Sequence, residues 1–206
     1  MQSPHPKNAF CVLYTHTPRH GIAYLLGMEG ISMDKKSVYW EGGKWGGFGG
    51  KREANETIYQ TCVREMYEET AGCVYSLARI HSIFTDQQIS VCVRKKYRKG
   101  TTACYFIWVP YEDYPSRFRL CKEFCQYVHG DINVIEKTHL RWFGHNEIVN
   151  ADQKIQKKFR HKLLDMMSIL NKNSDALRQL TSADPPTKCL YVHEDGVTDF
   201  FSRIQQ

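Results

Sequence analysis

Residues 49–73, GGKREANETIYQTCVREMYEETAGC, place three carboxylates, Glu65, Glu68 and Glu69, within five consecutive positions beside Arg64, downstream of a Gly-Gly-Lys turn. Like charges spaced three or four residues apart on a helix repel one another. Three features separate this cluster from an ordinary solvated acidic face. It is confined to one turn with no lysine at i±4 to offset it, an oligoglycine stretch precedes it, and the chain around it is basic. Hard divalent cations, held by carboxylate and carbonyl oxygens, turn such repulsion into a binding site, and Mg²⁺ characteristically bridges carboxylates to substrate phosphates.

The elements that position the cluster are legible in part. Thr57 followed by Gln60 is a T-x-x-Q capping box, so a helix is expected to start there. Tyr59, Cys62, Val63, Met66 and Thr70 share one face, and the three glutamates lie on an arc centred roughly 110° from it, at the edge of the buried stripe. Ala71-Gly72 is expected to end the helix, with Gly72 as the left-handed residue. NAFCVLYTH and IAYLLGME read as two strands joined by the turn TPRHG, and GGKWGGFGG (Gly42–Gly50) as a loop. YSLARIHSIF, QISVCVRK and TTACYFIWVPY read as strands, SRFRLCKEFCQYV as a short helix, and THLRWF as the final strand. Ala151–Leu180 carries apolar residues at helical spacing, from Ile155 to Leu170, which predicts one amphipathic helix. The predicted organisation is therefore one domain over residues 1–180 and a tail over 181–206, either docked or free.

Composition bounds the class. The chain has 206 residues, 42% hydrophobic and 24% charged, as in a folded globular domain with a single core. No apolar run approaches the roughly 20 residues that span a bilayer, and MQSPHPKNAF has no signal-peptide core. Eight scattered cysteines without a CxxC pair read as reduced small hydrophobes, with no zinc site. A cytosolic or nuclear, reducing location is the expectation, with no membrane partner. The sequence leaves the oligomeric state open. Net charge is +6, with an excess in RKKYRK (Arg94–Lys99). That run suits a polyanionic partner, and it equally suits a solvated hairpin tip.

The glutamate cluster resembles the Nudix box, G-x5-E-x7-R-E-U-x-E-E-x-G-U with U a bulky aliphatic residue. Gly50, Glu56, Arg64, Glu65, Met66, Glu68 and Glu69 match it in register. Ala71 stands at the family's glycine, and Gly72-Cys73 come one residue late, as in a helix lengthened by one residue. The resemblance covers roughly Ala9–Leu170. It implies an α/β fold, a mixed sheet between helices (α/β/α), and hydrolysis of a diphosphate linked to another group. It also implies that Glu65, Glu68 and Glu69 bind Mg²⁺ or Mn²⁺ with the Gly49 carbonyl, while Glu56 and Arg64 pair to hold the box.

The box region also resembles that of mRNA-decapping Nudix enzymes of eukaryotes and large DNA viruses, through Trp45, Phe48, Gly50, Lys51 and Cys62. Gly49 replaces that group's lysine, and its proline is absent. IEKTHLRWF resembles the decapping element in which a glutamate six residues before a tryptophan completes the metal site. Glu136 has that spacing from Trp142, and otherwise reads as a strand-edge carboxylate. The resemblance implies capped RNA as a partner, with Lys51, Arg94, Lys95, Lys96, Arg98 and Lys99 as candidate phosphate contacts. Tyr97 beside them reads as a base-stacking residue or as a hairpin support. Free nucleotides, dinucleoside polyphosphates and diphosphoinositol phosphates remain alternatives, as does a silent nucleotide-binding module.

Overall fold

The computed structural model describes residues 6–18, 21–31, 41–129, 136–182, 188–194 and 196–199. The alternation in β1 (Asn8–Thr17) sets the architecture. Ala9, Cys11 and Leu13 enter one apolar cluster, while Phe10, Val12 and Tyr14 enter another. A strand buried on both faces with period two is a central strand between two layers. β2 (Gly21–Glu29) pairs antiparallel with β1, Leu13 opposite Leu25. β6 (Gly100–Trp108) runs parallel to β1, and β5 (Ile89–Tyr97) is antiparallel to β6.

The first cluster is closed by α1 (Ile58–Glu69), α2 (Leu77–Thr85) and α3 (Tyr114–His129), through Cys62, Met66, Ile80, Phe84 and Phe118. The second is closed by α4 (His145–Val149), α6 (His161–Asn171) and α7 (Ser174–Leu180), through Ile148, Leu163, Met166, Leu170 and Leu180. Among the described residues, a nine-stranded mixed sheet lies between these layers, the expected α/β/α arrangement. All eight cysteines are free thiols.

Four local expectations are corrected. The glycine run is not a loop throughout. Trp45–Gly46 form β3 against Gly27 and Met28, and Phe48–Lys51 form β4 against Asn8–Cys11. Buried Phe48 anchors the run, and the ladders give its backbone the partners that glycine side chains cannot supply. YSLARIHSIF is helical from Leu77, because Ser76 accepts the Arg79 N–H and Ile80, Ile83 and Phe84 fall on one helical face.

The stretch from Ala151 to Leu180 is three helices, α5 (Gln153–Gln156), α6 and α7. The first break arises because β3 captures the backbone there: Trp45 N–H donates to the Lys158 carbonyl at 2.8 Å, and Arg160 N–H to the Trp45 carbonyl at 2.9 Å. The second break is the Asn173 cap on the Ala176 N–H. Lastly, β7 (Lys137–Gly144), which pairs with β2, is not the final strand. β8 (Leu190–His193) runs parallel to β5, and β9 (Gly196–Asp199) pairs with β8. Trp40 and the terminal FFSRIQQ lie outside the described residues.

A chain ending at Ser182 should therefore lose more than a tail. Tyr191 and Val192 are buried, and withdrawing two such side chains costs about 3–6 kcal/mol. Chemical denaturation should show a midpoint lowered accordingly. An unchanged midpoint would show that β8 contributes nothing to stability.

Candidate active site

The helix that carries the box starts as its sequence predicts. Gln60 N–H donates to Thr57 Oγ1 at 3.2 Å, and Thr57 N–H donates to Gln60 Oε1 at 2.7 Å. Cys62, Val63, Met66 and Thr70 are buried, which fixes the rotation of the glutamates. The helix is not lengthened at its end. Gly72 N–H bonds the Tyr67 carbonyl and Ala71 N–H the Glu68 carbonyl, a Schellman closure. Ala71 itself takes the left-handed conformation, φ 52°, with Gly72 following at 62°.

Arg64 compensates the cluster that reads as uncompensated in sequence. Its Nε donates to Glu56 Oε1 at 2.7 Å and its Nη2 to Glu56 Oε2 at 3.2 Å, as the box pairing implies. Its Nη1 also lies 3.0 Å from Glu65 Oε1 and 3.2 Å from Glu68 Oε2. The last contact is an i,i+4 pair that a search for lysine alone overlooks. The Arg64 hydrogen bonds hold the Glu56 carboxyl down at about 2. Glu65 lies against Gly50, where a Cβ would come 2.4 Å from Glu65 Oε1, so a larger residue there would push the Glu65 carboxylate aside. Burial raises the Glu65 carboxyl, against the pull of Arg64. Glu68 is the most exposed of the three.

Glu69 is buried. Its Oε2 accepts the Gly49 N–H at 2.6 Å, and its Oε1 lies 3.0 Å from Lys137 Nζ. Burial pushes its carboxyl up to about 7, with Lys137 opposing. Carboxylate oxygens of Glu69, Glu136 and Glu29 lie within 4.8 Å of one another. The spacing argument thus brings Glu136 beside the box, whereas Glu68 turns outward to Arg64.

Glu29 and Lys137 are additions that no motif announces. Lys137 has no exposed surface, and its ammonium bonds Glu29 as well as Glu69. Glu29 Oε1 also meets Arg160 Nη1 at 2.5 Å, and Arg160 Nε donates to Glu41 Oε2 at 2.9 Å. Glu41 further accepts the backbone N–H of His161 and contacts its ring. Although burial opposes it, these bonds from His161 and Arg160 bring the Glu41 carboxyl to about 2.

Arg160 also lines a cavity of about 150 Å³, with Lys51, Lys162, Asn8, Thr102 and the glycines of β3 and β4. Lys51 is thus the one candidate phosphate contact on the cavity wall. Of the basic run, Arg94 and Lys95 are committed to the protein itself. Alternation along β5 sends them to opposite faces: Arg94 lies over the Tyr191 ring, while Lys95 pairs with Asp165 and Glu194 at 3.3 Å. Tyr97 is a support, its hydroxyl donating to Asp165. Lys96, Arg98 and Lys99 remain exposed at the β5–β6 tip.

A mixed sheet between helical layers, with a capped glutamate helix over a glycine strand, defines the architecture of a Nudix domain. The chain belongs to the Nudix family: the NUDIX domain family model matches residues 15–163. Comparison with curated proteins finds none that matches. Among solved structures, a mutT/nudix family protein from Listeria innocua is 15% identical, covering 82% of this chain and 92% of that one with a TM-score of 0.43. The NUDIX domain of Shewanella oneidensis NrtR, solved with ADP ribose, is 16% identical over 81% of this chain and 86% of its own, TM-score 0.43. The Nudix hydrolase RenU of M. smegmatis is 15% identical over 84% and 87%, TM-score 0.43.

Two outcomes follow from this geometry. Ala71→Gly should stabilise the chain by about 0.5–1 kcal/mol, because a left-handed alanine costs ~1–2 kcal/mol and glycine returns part of that as unfolded-chain entropy. A lowered denaturation midpoint would contradict the strain at Ala71. The second concerns pH in metal-stripped protein. Glu69 takes up its proton near 7 when folded and near 4.5 when unfolded. Between those values the folded chain holds the extra proton, so stability falls as pH rises from 4.5 to 7. Denaturation across that window should show the slope, and Glu69→Gln should flatten it. An unaltered slope in the variant would remove the assignment to Glu69.

Proposed function

We propose that the chain hydrolyses a diphosphate bond in a nucleoside diphosphate linked to a second group, using Mg²⁺ or Mn²⁺. One observation carries this reading: the cationic cavity and the acidic cluster share Arg160, which lines the first and bonds Glu29 in the second. Lys51, Arg160 and Lys162 suit phosphate oxygens, and the neighbouring donors are all oxygens, the set that hard divalent cations prefer. Glu65, Glu68, Glu69 and Glu136 would hold the metal with the Gly49 carbonyl, which leaves an extended strand on the same side as its N–H. Bound metal supplies charge neutralisation on the phosphates and a more acidic water. Glu136, exposed beside Glu69, would take the proton of the attacking water. Glu56 and Arg64 keep the box helix and glycine strand in register.

A second reading, capped RNA as the substrate, is favoured by Lys96, Arg98 and Lys99. They are exposed at the tip that leads into β6, and Thr102 of that strand lines the cavity. A polyanion longer than one nucleotide reaches both.

A substrate panel under one metal condition tests both readings: capped RNA, free cap dinucleotide, NTPs, ADP-ribose, dinucleoside polyphosphates and diphosphoinositol phosphates. Turnover should vanish in excess EDTA, and full activity there would sink the metal reading. Glu68→Gln should lower kcat by about a hundredfold or more with little change in midpoint, whereas Arg64→Ala should also cost about 1.5–3 kcal/mol of stability. Equal destabilisation by the two would contradict the division of roles. Release of m7GDP with a steep salt dependence, flattened by neutralising Lys96, Arg98 and Lys99, supports the RNA reading. Efficient cleavage of a small nucleotide without that dependence excludes it.

A further inference from the structure

The acidic cluster already holds one cation. Lys137 Nζ lies between Glu29 and Glu69, with the side chain entirely out of solvent. Its stem is threaded past Gly27: a Cβ there would come 2.9 Å from Lys137 Cδ and 3.0 Å from Cγ. The β2–β7 register shifts between Met28 and Glu29, so that Lys137 stands opposite Glu29. Lys122 Nζ fixes the same point by donating to the Lys137 carbonyl at 2.9 Å. Glu29 receives two cations, Lys137 and Arg160, both on its Oε1.

We propose that Lys137 is a resident cation: its ammonium fills the Glu29–Glu69 side of the cluster and confines divalent ions to the side formed by Glu65, Glu68, Glu136 and the free lone pairs of Glu69. The inference rests on the metal-binding reading above and adds a limit to it. A carboxylate has about four lone-pair positions. Glu69 spends one on Lys137 and one on the Gly49 N–H, which leaves about two unspent, with a Glu136 carboxylate oxygen within 4.8 Å. Displacing the ammonium would strand a charge in a place without water, so a divalent ion enters the inner side only when the lysine is gone. Lys137 thereby sets both the number of ions bound and the orientation of Glu69.

The test is Mn²⁺ binding to the metal-stripped full chain, counted by EPR of the free ion. Glu29→Gln should leave the number and affinity of bound Mn²⁺ unchanged within about twofold. Lys137→Met should open the inner side and add one Mn²⁺ per chain, and the double variant Glu29→Gln/Lys137→Met should return to the wild-type number. Since Lys137→Met leaves the buried Glu69 and the half-buried Glu29 carboxylates without the cation between them, its thermal midpoint is also followed. Mn²⁺ should raise that midpoint more than it raises the wild type's. The proposal is overturned if Lys137→Met binds no additional ion, if Mn²⁺ fails to restore its stability, or if Glu29→Gln weakens wild-type binding by about tenfold or more. Glu68→Gln serves as a separate arm. Unaltered Mn²⁺ binding in that variant would remove the box from the metal site, an outcome distinct from failure of the lysine assignment.

Discussion

A lysine ammonium with no access to water persists only where carboxylates meet it, and much of this protein is arranged around that requirement at Lys137. Glu29 and Glu69 supply the carboxylates, one from the end of a sheet strand and one from the box helix. Glu29 is held in turn by Arg160, and Arg160 by Glu41. The result is a line of alternating charge, Glu41–Arg160–Glu29–Lys137–Glu69, from the start of α6 to the end of α1. The buried Lys137–Glu69 pair adds little net stability over an apolar replacement, yet removing either member costs about 3–5 kcal/mol. The line therefore fixes geometry more than it deepens the fold, and it ties the cationic cavity to the carboxylates of the box.

The backbone around this line follows the same demand for close approach. β4 lies directly against β1, its Gly49 N–H meeting Glu69 and its Gly50 leaving room for Glu65. Phe48, wholly buried, keeps that strand in place from the core side. On the other face, β3 takes the backbone of Lys158 and Arg160 as its partners, which ends α5 and aims Arg160 into the cavity. One short glycine stretch thus positions a carboxylate on one layer and a guanidinium on the other.

The box was legible because its contacts are local. Thr57, Gln60 and the Cys62–Met66 stripe set the start and rotation of α1, and Glu56–Arg64 lies within the same motif. Lys137 and Glu29 were not legible, since their pairing spans 108 residues and depends on a register shift in β2–β7. The run RKKYRK read as one stripe because sequence spacing hides the two faces of a strand, and Tyr191 and Asp165, which divide it, come from distant elements. The segment YSLARIHSIF carried both a strand-like composition and a helical period. The Ser76 cap and the cluster beneath Ile80 and Phe84 decide for the helix. The tail strand β8 was undecidable, because LYVH finds its partner only across the assembled β5.

The claim that the box and Glu136 bind divalent metal outside a lysine-filled inner slot is met most directly by anomalous diffraction from Mn²⁺-soaked crystals. Manganese density should lie among Glu65, Glu68, Glu69, Glu136 and the Gly49 carbonyl, with Lys137 Nζ still between Glu29 and Glu69. Manganese between Glu29 and Glu69, with the lysine swung away, would contradict it.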